Sequence, residues 1–468
     1  MTAAKPDIVT SGVAGIPGPR GAQALRAWVS LLRRPLATMV QLVQQYGDAV
    51  TTPISPRARF FLLTRPEHAE HVLATHQDNY VKAWTYQALR AMLGSGLLTS
   101  EGEQWRRHRR LVQPVFARRY VRSFAPLMVG AASRTLDRWN ALSSSSGVEA
   151  PMVDAAAEMN RLTLDVVGRA LFGIDLRDDA QRVAHAVTVL QAASVNPAFL
   201  LLLWQPRLAE ALVTKIPRYG RAVADLEAVV TRIVAERRAA PAPDEPRDLL
   251  DLLLAARDED GSGLGDREVR DEVITFVLAG HETTANALAW SLSLLSGHPD
   301  ARGRLEDEVD AVLGGRDPDV DSVDKLPWTA AVISEAMRLY PPAWTIERDE
   351  VHDDEIEGIP VPAGNTVAVP PYLVHRNPDH WPKPERFDPE RFLPESAAGR
   401  HRYAFIPFGG GRRGCVGAGF ATLEGTLVLA KLVQHYRLDL IPAYRPVPEA
   451  HVTLRPRGGL PMTLRRRR

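Results

Sequence analysis

The sequence predicts a mainly α-helical fold with a minor β region, an α+β arrangement, and three observations predict it. Apolar residues recur at helical spacing through almost all of the stretch from Trp105 to Tyr340. Within it, the run from Asp266 to about Ser296 keeps that period for about thirty residues, roughly 45 Å at the helical rise of about 1.5 Å per residue. Strand-like runs collect instead towards the two ends of the chain, between turn residues.

Residues 1–20 are rich in Gly and Pro and read as a flexible leading segment. A helical pattern from about Gly21 to Tyr46 precedes two short strands, Ala49-Val50-Thr51-Thr52 and Phe60-Phe61-Leu62-Leu63. Helix resumes after Arg65-Pro66, with Ala69, Val72 and Leu73 on one face. Proline and glycine interrupt the long helical region near Pro114, Gly147, Pro197, Pro217, Pro241 and Gly261. Residues 344–374 read as short strands and turns, and residues 376–407 as a proline-rich irregular stretch. A helix follows Cys415, and Val452 to Leu464 reads as a hairpin turning at Gly458-Gly459. No repeat and no linker is visible, so residues 21–464 are expected to form a single domain, with residues 465–468 as a basic tail.

The 468 residues carry 45% hydrophobic and 24% charged side chains, a globular composition. A net charge of +1 gives no global field to recruit nucleic acid. One cysteine excludes an intramolecular disulfide and fits a reducing compartment. The start lacks a signal-like or membrane-spanning run, and the most apolar cluster, Phe199 to Trp204, is too short to span a bilayer. The expectation is a cytoplasmic protein without a membrane anchor.

That one cysteine ends a glycine- and arginine-rich stretch, Phe408-Gly409-Gly410-Gly411-Arg412-Arg413-Gly414-Cys415-Val416-Gly417. A helix N-terminus and neighbouring cations favour a thiolate, a soft ligand for a metal or haem. Two plainer readings compete. A lone cysteine is most often a small buried hydrophobe, and a glycine loop before a helix also suits phosphate, although the Gly-Lys-Ser/Thr ending of a P-loop is missing.

Three further stretches bear on the choice. The long helix carries Ala279-Gly280-His281-Glu282-Thr283-Thr284 at its middle. Glycine there costs about 1 kcal/mol relative to alanine, so small residues beside an acid and a hydroxyl point to a flat ligand and a proton relay. A solvent-facing patch with His281 and Glu282 outside is the alternative. Glu335 and Arg338 share a helical face between apolar positions, and Arg391 or Arg386 could add a third member, Arg391 being preferred because it leads into the cysteine loop. Trp105 and Arg109, four apart, could converge on a carboxylate, whereas Arg106 and Arg107 read better as a solvated helix start.

Together these stretches resemble the cytochrome P450 family of haem-thiolate monooxygenases, over about Gly18 to Leu464 and in the family's order. Phe408-x-x-Gly411-x-Arg413-x-Cys415-x-Gly417 matches its cysteine loop, Ala279-Gly280-x-Glu282-Thr283 its oxygen-activation helix, Glu335-x-x-Arg338 its Glu-x-x-Arg pair, and Trp105-x-x-x-Arg109 the helix over the haem edge. The resemblance implies haem b between the long central helix and the cysteine-loop helix, with Cys415 as axial thiolate. It implies that Phe408 packs at the ligand, that Gly411 and Gly417 permit close approach, and that Ala279 and Gly280 line the other face. Arg413, Arg109, Trp105 and Arg348 would hold the propionates, so Arg413 would serve a propionate more than the sulfur. Thr283 and Glu282 would deliver protons to dioxygen. Glu335, Arg338 and Arg391 would be a structural triad.

Without a fused reductase in the sequence, electrons are expected from a ferredoxin or flavodoxin with its NAD(P)H-dependent reductase, docking on Arg106, Arg107, Arg110 and Arg412. Apolar Trp84, Leu97, Phe199, Trp344, Ile346 and Leu460, with Ala279, would meet a hydrophobic substrate: a fatty acid, terpenoid or polyketide of secondary metabolism. Alternatives are ring coupling, desaturation or peroxygenase use of the same centre, or a haem-thiolate sensor.

Overall fold

The computed structural model describes residues 16–55, 58–146, 150–173, 182, 185–186, 189, 216–241, 243 and 245–467. The expected substrate segment around Phe199 and Trp204, and most of the leading segment, lie outside the described residues. Two compact units interleave along the chain. One comprises Met1–Tyr86, Ala343–Arg386 and Gly399–Cys415; the other comprises Gln87–Pro342, Phe387–Ala398 and Val416–Arg468. Because each unit is gathered from separate stretches, no linker in the sequence marks the division.

The first unit is built on a five-stranded sheet and a separate hairpin of β6 (Asp354–Ile356) and β7 (Ile359–Val361). Strands β1 (Ala49–Pro53) and β2 (Arg59–Leu63) form an antiparallel pair, and β2 then pairs in parallel with β8 (Thr366–Ala368). Strand β5 (Glu347–Glu350) lies antiparallel between β8 and β3 (Tyr80–Lys82). Phe61, Leu63, Val72, Tyr80, Val367, Tyr403 and Ile406 pack into its core, each large apolar side chain contributing about 1.5–3 kcal/mol on burial. The helical pattern expected over residues 21–46 divides at Arg34, since Pro35 can open a helix but not continue one. The helix Pro66–Glu70 does not continue as α-helix either: His71–Thr75 form a π-helical turn.

In the second unit the long helix runs from Asp266 to Gly297, and Pro299 opens the next helix rather than a loop. Asp154 caps the helix Ala155–Phe172 by accepting the Ala156 and Ala157 amides at 3.0 and 3.3 Å, and Gly173 ends it at φ 63°. The helix after the cysteine spans Ala418–His435. The expected hairpin over Val452 to Leu464 does not form. Strand β11 (Leu454–Pro456) pairs with β10 (Pro448–Ala450), while β12 (Pro461–Arg466) joins β9 (Tyr436–Leu440) and β4 (Met152–Asp154). Asp154 is the physical reason: its carboxylate also accepts the Leu460 amide at 2.8 Å and would lie 2.4 Å from any Cβ at Gly459, so the glycine turn delivers β12 to β4. Among the described residues no helix is long and apolar enough to cross a membrane.

Candidate active site

In the first unit the loop before Cys415 is fixed by backbone geometry. Gly409 and Gly411 hold φ of 71° and 62°, values that penalise side chains. A Cβ at Gly411 would lie 1.8 Å from the Leu73 carbonyl oxygen. Gly411–Arg413 make one 3-10 turn, and the Cys415 amide donates to the Phe408 carbonyl at 2.8 Å, closing the loop. Cys415 is exposed and precedes the first residue of its helix by three positions. Free cysteine is usually among the most buried residue types, so this loop presents its thiol rather than packing it. Phe408 and Arg413 are half-buried.

Arg348 is buried in β5, opposite Lys82 and Val367, and its Nη1 donates to the Glu347 carbonyl at 2.8 Å. Burial raises the acids on either side. Glu347 accepts from Thr85 Oγ1 at 2.7 Å, and Asp349 accepts from Thr366 Oγ1 and from the Trp84 amide, bonds that oppose the rise. Trp84 is thereby anchored through its backbone, with its ring half-buried, as is that of Trp344. Ile346 is buried, bonded through its backbone to Val369, and 3.7 Å from where a Cβ of Gly409 would stand.

In the second unit the middle of the central helix opens on one side only. Residues 271–277 and 284–293 are buried without a break, whereas Ala279 is exposed and Leu278, Gly280 and Thr283 are half-buried. His281 and Glu282 are buried, so the solvent-facing alternative has the wrong side of the helix outward. Burial pulls His281 below its ordinary value against a bond to the Val277 carbonyl, to which Nδ1 donates at 2.8 Å. Thr283 Oγ1 donates to the Ala279 carbonyl at 2.7 Å, and Thr163 Oγ1 to that of His281 at 2.9 Å. Gly280 has a packing role: a Cβ there would stand 3.1 Å from Val167 Cγ2.

The helix Gly102–Val112 buries Trp105 and leaves Arg109 half-buried, with its Nε donating to Gln113 Oε1 at 3.2 Å. Its position on the central helix is set by His108, which the sequence reading passed over. That imidazole has no exposure and meets Glu272 Oε1 at 2.6 Å and Glu268 Oε1 at 3.2 Å. Burial lowers its pKa, but the two carboxylates outweigh burial and the net shift is upward. Glu272 also accepts the Leu97 amide at 3.1 Å. The available signal was the i, i+4 spacing of Glu268 and Glu272 on an otherwise apolar face. Leu460 has no exposure. The cations expected as a docking face each meet an acid: Arg106 with Glu103, Arg107 with Glu268, Arg110 with Asp258, and Arg412 with Asp78. Their outward field is weaker than their number implies.

Glu335 and Arg338 are both fully buried and joined by two bonds of 2.7 and 2.8 Å. Glu335 Oε1 further accepts the Asp388 amide at 2.8 Å and has Arg391 Nε at 3.6 Å. Burial raises its pKa against these partners. A buried pair of this kind tolerates desolvation only when its remaining lone pairs are met, and the segment around Asp388 and Arg391 meets them. Glu424, on the helix after the cysteine, is the opposite case and was also missed: it is fully buried with neither oxygen hydrogen-bonded among the described residues, and burial raises its pKa well above the ordinary value.

The profile of the cytochrome P450 family matches residues 17–460. The chain belongs to that family. It is 36% identical over 90% of its length to 91% of a putative cytochrome P450 132 of Mycobacterium tuberculosis. It is 34% identical to cyclooctatin synthase of Streptomyces melanosporofaciens, covering 92% of each chain, and 35% identical to pentalenene oxygenase of Streptomyces avermitilis, covering 91% and 92%. The crystal structure of the cytochrome P450DA heme domain superposes with a TM-score of 0.82 at 26% identity, covering 97% of this chain and 98% of that one. This P450 is thus an oxidoreductase of the monooxygenase type that uses haem, dioxygen and redox partners. The residues present fit haem. A soft thiol stands exposed, and the small residues Ala279 and Gly280 open one face midway along a buried helix.

Proposed function

We propose that this P450 inserts one oxygen atom from dioxygen into a C–H bond of an apolar cyclic terpenoid. The observation that carries the reading is the open Ala279–Thr283 stripe on an otherwise buried helix. Relatives named cyclooctatin synthase, pentalenene oxygenase and cyclooctat-9-en-7-ol 5-monooxygenase support the terpenoid over a fatty acid or polyketide. Haem b, held by Cys415, would supply the oxygen activation. Arg413, Arg109, Arg348 and Trp105 would bind its propionates, cations and an indole N–H being suited to carboxylates. Phe408, Gly411 and Gly417 would shape the cysteine side, and Ala279 and Gly280 the other.

Thr283 would hold and pass a proton at Oγ1 after releasing the Ala279 carbonyl, and the Glu282 carboxyl would resupply it. Glu335, Arg338 and Arg391 would act structurally. Trp84, Leu97, Trp344, Ile346, Phe199 and Leu460 would bound the substrate, Leu460 being fully buried in its own unit. Electrons would come from a ferredoxin or flavodoxin with its NAD(P)H-dependent reductase. Because the docking arginines are already paired, the salt dependence should be shallow.

The test incubates the purified holoprotein, ferredoxin, reductase and NADPH with a panel of cyclic terpenes, fatty acids and polyketide macrolactones under labelled oxygen. One labelled oxygen in a terpene product is expected. Label only in a fatty acid or macrolactone would overturn the substrate class, and label in no product would overturn the reaction. Cys415→Ser should abolish the absorption band of the thiolate-ligated carbon monoxide form; survival of that band would remove Cys415 as the ligand.

A further inference from the structure

The π-helical turn His71–Thr75 in the first unit carries none of the residues assigned to haem or substrate, yet it brings together residues far apart on an ordinary helix. Residues five apart on an α-helix point about 140° away from each other. Here the His76 amide bonds to the His71 carbonyl at 2.9 Å, across five residues, and the two imidazoles stack with centroids 3.8 Å apart and planes within 10°. Asp354, which begins β6 (Asp354–Ile356), completes the group: His71 Nε2 lies 2.8 Å from its Oδ2. One ligand atom from each of the three lies within 4.8 Å of the others. Ligands on one zinc ion stand about 3.3 Å apart at bond lengths near 2.0–2.1 Å, so a modest ring tilt closes the set.

Two neighbours support a ligating role. Tyr80 donates its hydroxyl to the same Asp354 oxygen at 2.8 Å, and Thr75 Oγ1 lies 3.1 Å from His76 Nδ1. Such contacts orient ligands and fix which ring nitrogen is free. The independent observation is Glu350. It faces Tyr80 across the β3–β5 pair, is 3% exposed, and has no hydrogen bond to either carboxylate oxygen among the described residues. Burial and the charges of Asp354 and Asp353 push its carboxyl up to about 8, and a cation held by Asp354 would offset that repulsion.

We propose that His71, His76 and Asp354 form a site for one borderline divalent ion of the zinc or copper(II) class, completed by water. Two imidazoles and a carboxylate suit these metals better than calcium or magnesium, which take all-oxygen shells. The turn also braces the cysteine loop: the Leu73 carbonyl is what a Cβ at Gly411 would strike, Gln77 Oε1 accepts the Arg412 amide at 2.7 Å, and Asp78 pairs with Arg412. An ion here stiffens the segment against which the Cys415 loop is moulded.

Calorimetric titration of the metal-stripped holoprotein with ZnCl2, beside His76→Ala and a control His298→Ala, tests this. His76 is exposed, so its replacement should leave the fold intact, as the Soret spectrum and thermal melting would verify. One equivalent of zinc should bind the parent and the control with equal affinity, at least tenfold tighter than His76→Ala. Absence of binding at 100-fold molar excess, or equal affinity in all three proteins, would overturn the site. Zinc bound in crystals anywhere other than these three side chains would overturn it as well.

Discussion

The cysteine loop and the middle of the central helix each leave a polar group accessible within packed surroundings, and they do so by opposite means. In the loop, accessibility is imposed by the backbone. Two glycines at positive φ and the close approach of Gly411 to Leu73 shape the loop that carries exposed Cys415. In the helix, accessibility comes from what is omitted. The backbone is regular, and only the small side chain of Ala279 keeps one face open. A site made by backbone constraint should fail abruptly when altered, and a site made by omission should fill gradually.

Gly411→Ala sets the upper end of that contrast. The strained φ and a Cβ 1.8 Å from the Leu73 oxygen together should cost more than about 3 kcal/mol, and haem content should fall below about one tenth of the parent's. Circular dichroism and the haem-to-protein ratio check both parts, and normal haem loading would break the comparison. Glu424→Gln extends the contrast to the helix that follows the loop. The folded carboxyl titrates well above its ordinary 4.5, so the stability it contributes is complete below that value and is lost as pH rises towards the folded value. The variant should therefore be no better than the parent at pH 4 and should gain about 1.4 kcal/mol per pH unit above it until the folded group ionises. Urea unfolding at several pH values reads this directly.

Thr163→Val should cost about 1 kcal/mol, the net worth of its hydrogen bond to the His281 carbonyl, with haem content unchanged. A melting temperature equal to the parent's would show that the helix midpoint needs no such bond. Ala279→Leu should change stability by less than about 0.5 kcal/mol, since the position is exposed and leucine is a good helix former. It should nonetheless weaken ligand-induced haem spectral shifts at least tenfold, and unchanged ligand affinity would close the argument from omission.

Much of this was legible in the sequence because local chemistry announced it. Pattern and glycine content marked the cysteine loop, and a misplaced polar run marked the helix middle. Glu335 and Arg338 were legible as a pair on one face between apolar positions, but the Asp388 amide that satisfies Glu335 was not. What stayed hidden depends on partners distant in the chain. His108 stands beside arginines read as a solvated helix start, and its acids lie more than 150 residues away. The π-turn at His71 has no signature in helical period, because a single inserted residue changes the backbone without changing which side chains are apolar. β12 was assigned the wrong partner because the turn at Gly459 is steered by Asp154, not by either adjoining strand.

The scattered make-up of the first unit sets an order in time. Its parallel strand pair joins Phe60 to Thr366, and the bond from Arg412 to Gln77 spans 335 residues. Closing contacts of that separation is slow, because the chain between them loses freedom before the contact repays it. On a growing chain the early strands must wait until nearly the whole polypeptide has been made, and the cysteine loop has no mould before then. The Cys415 thiol is therefore presented only after the bulk of folding, and a group bound there cannot template its early steps.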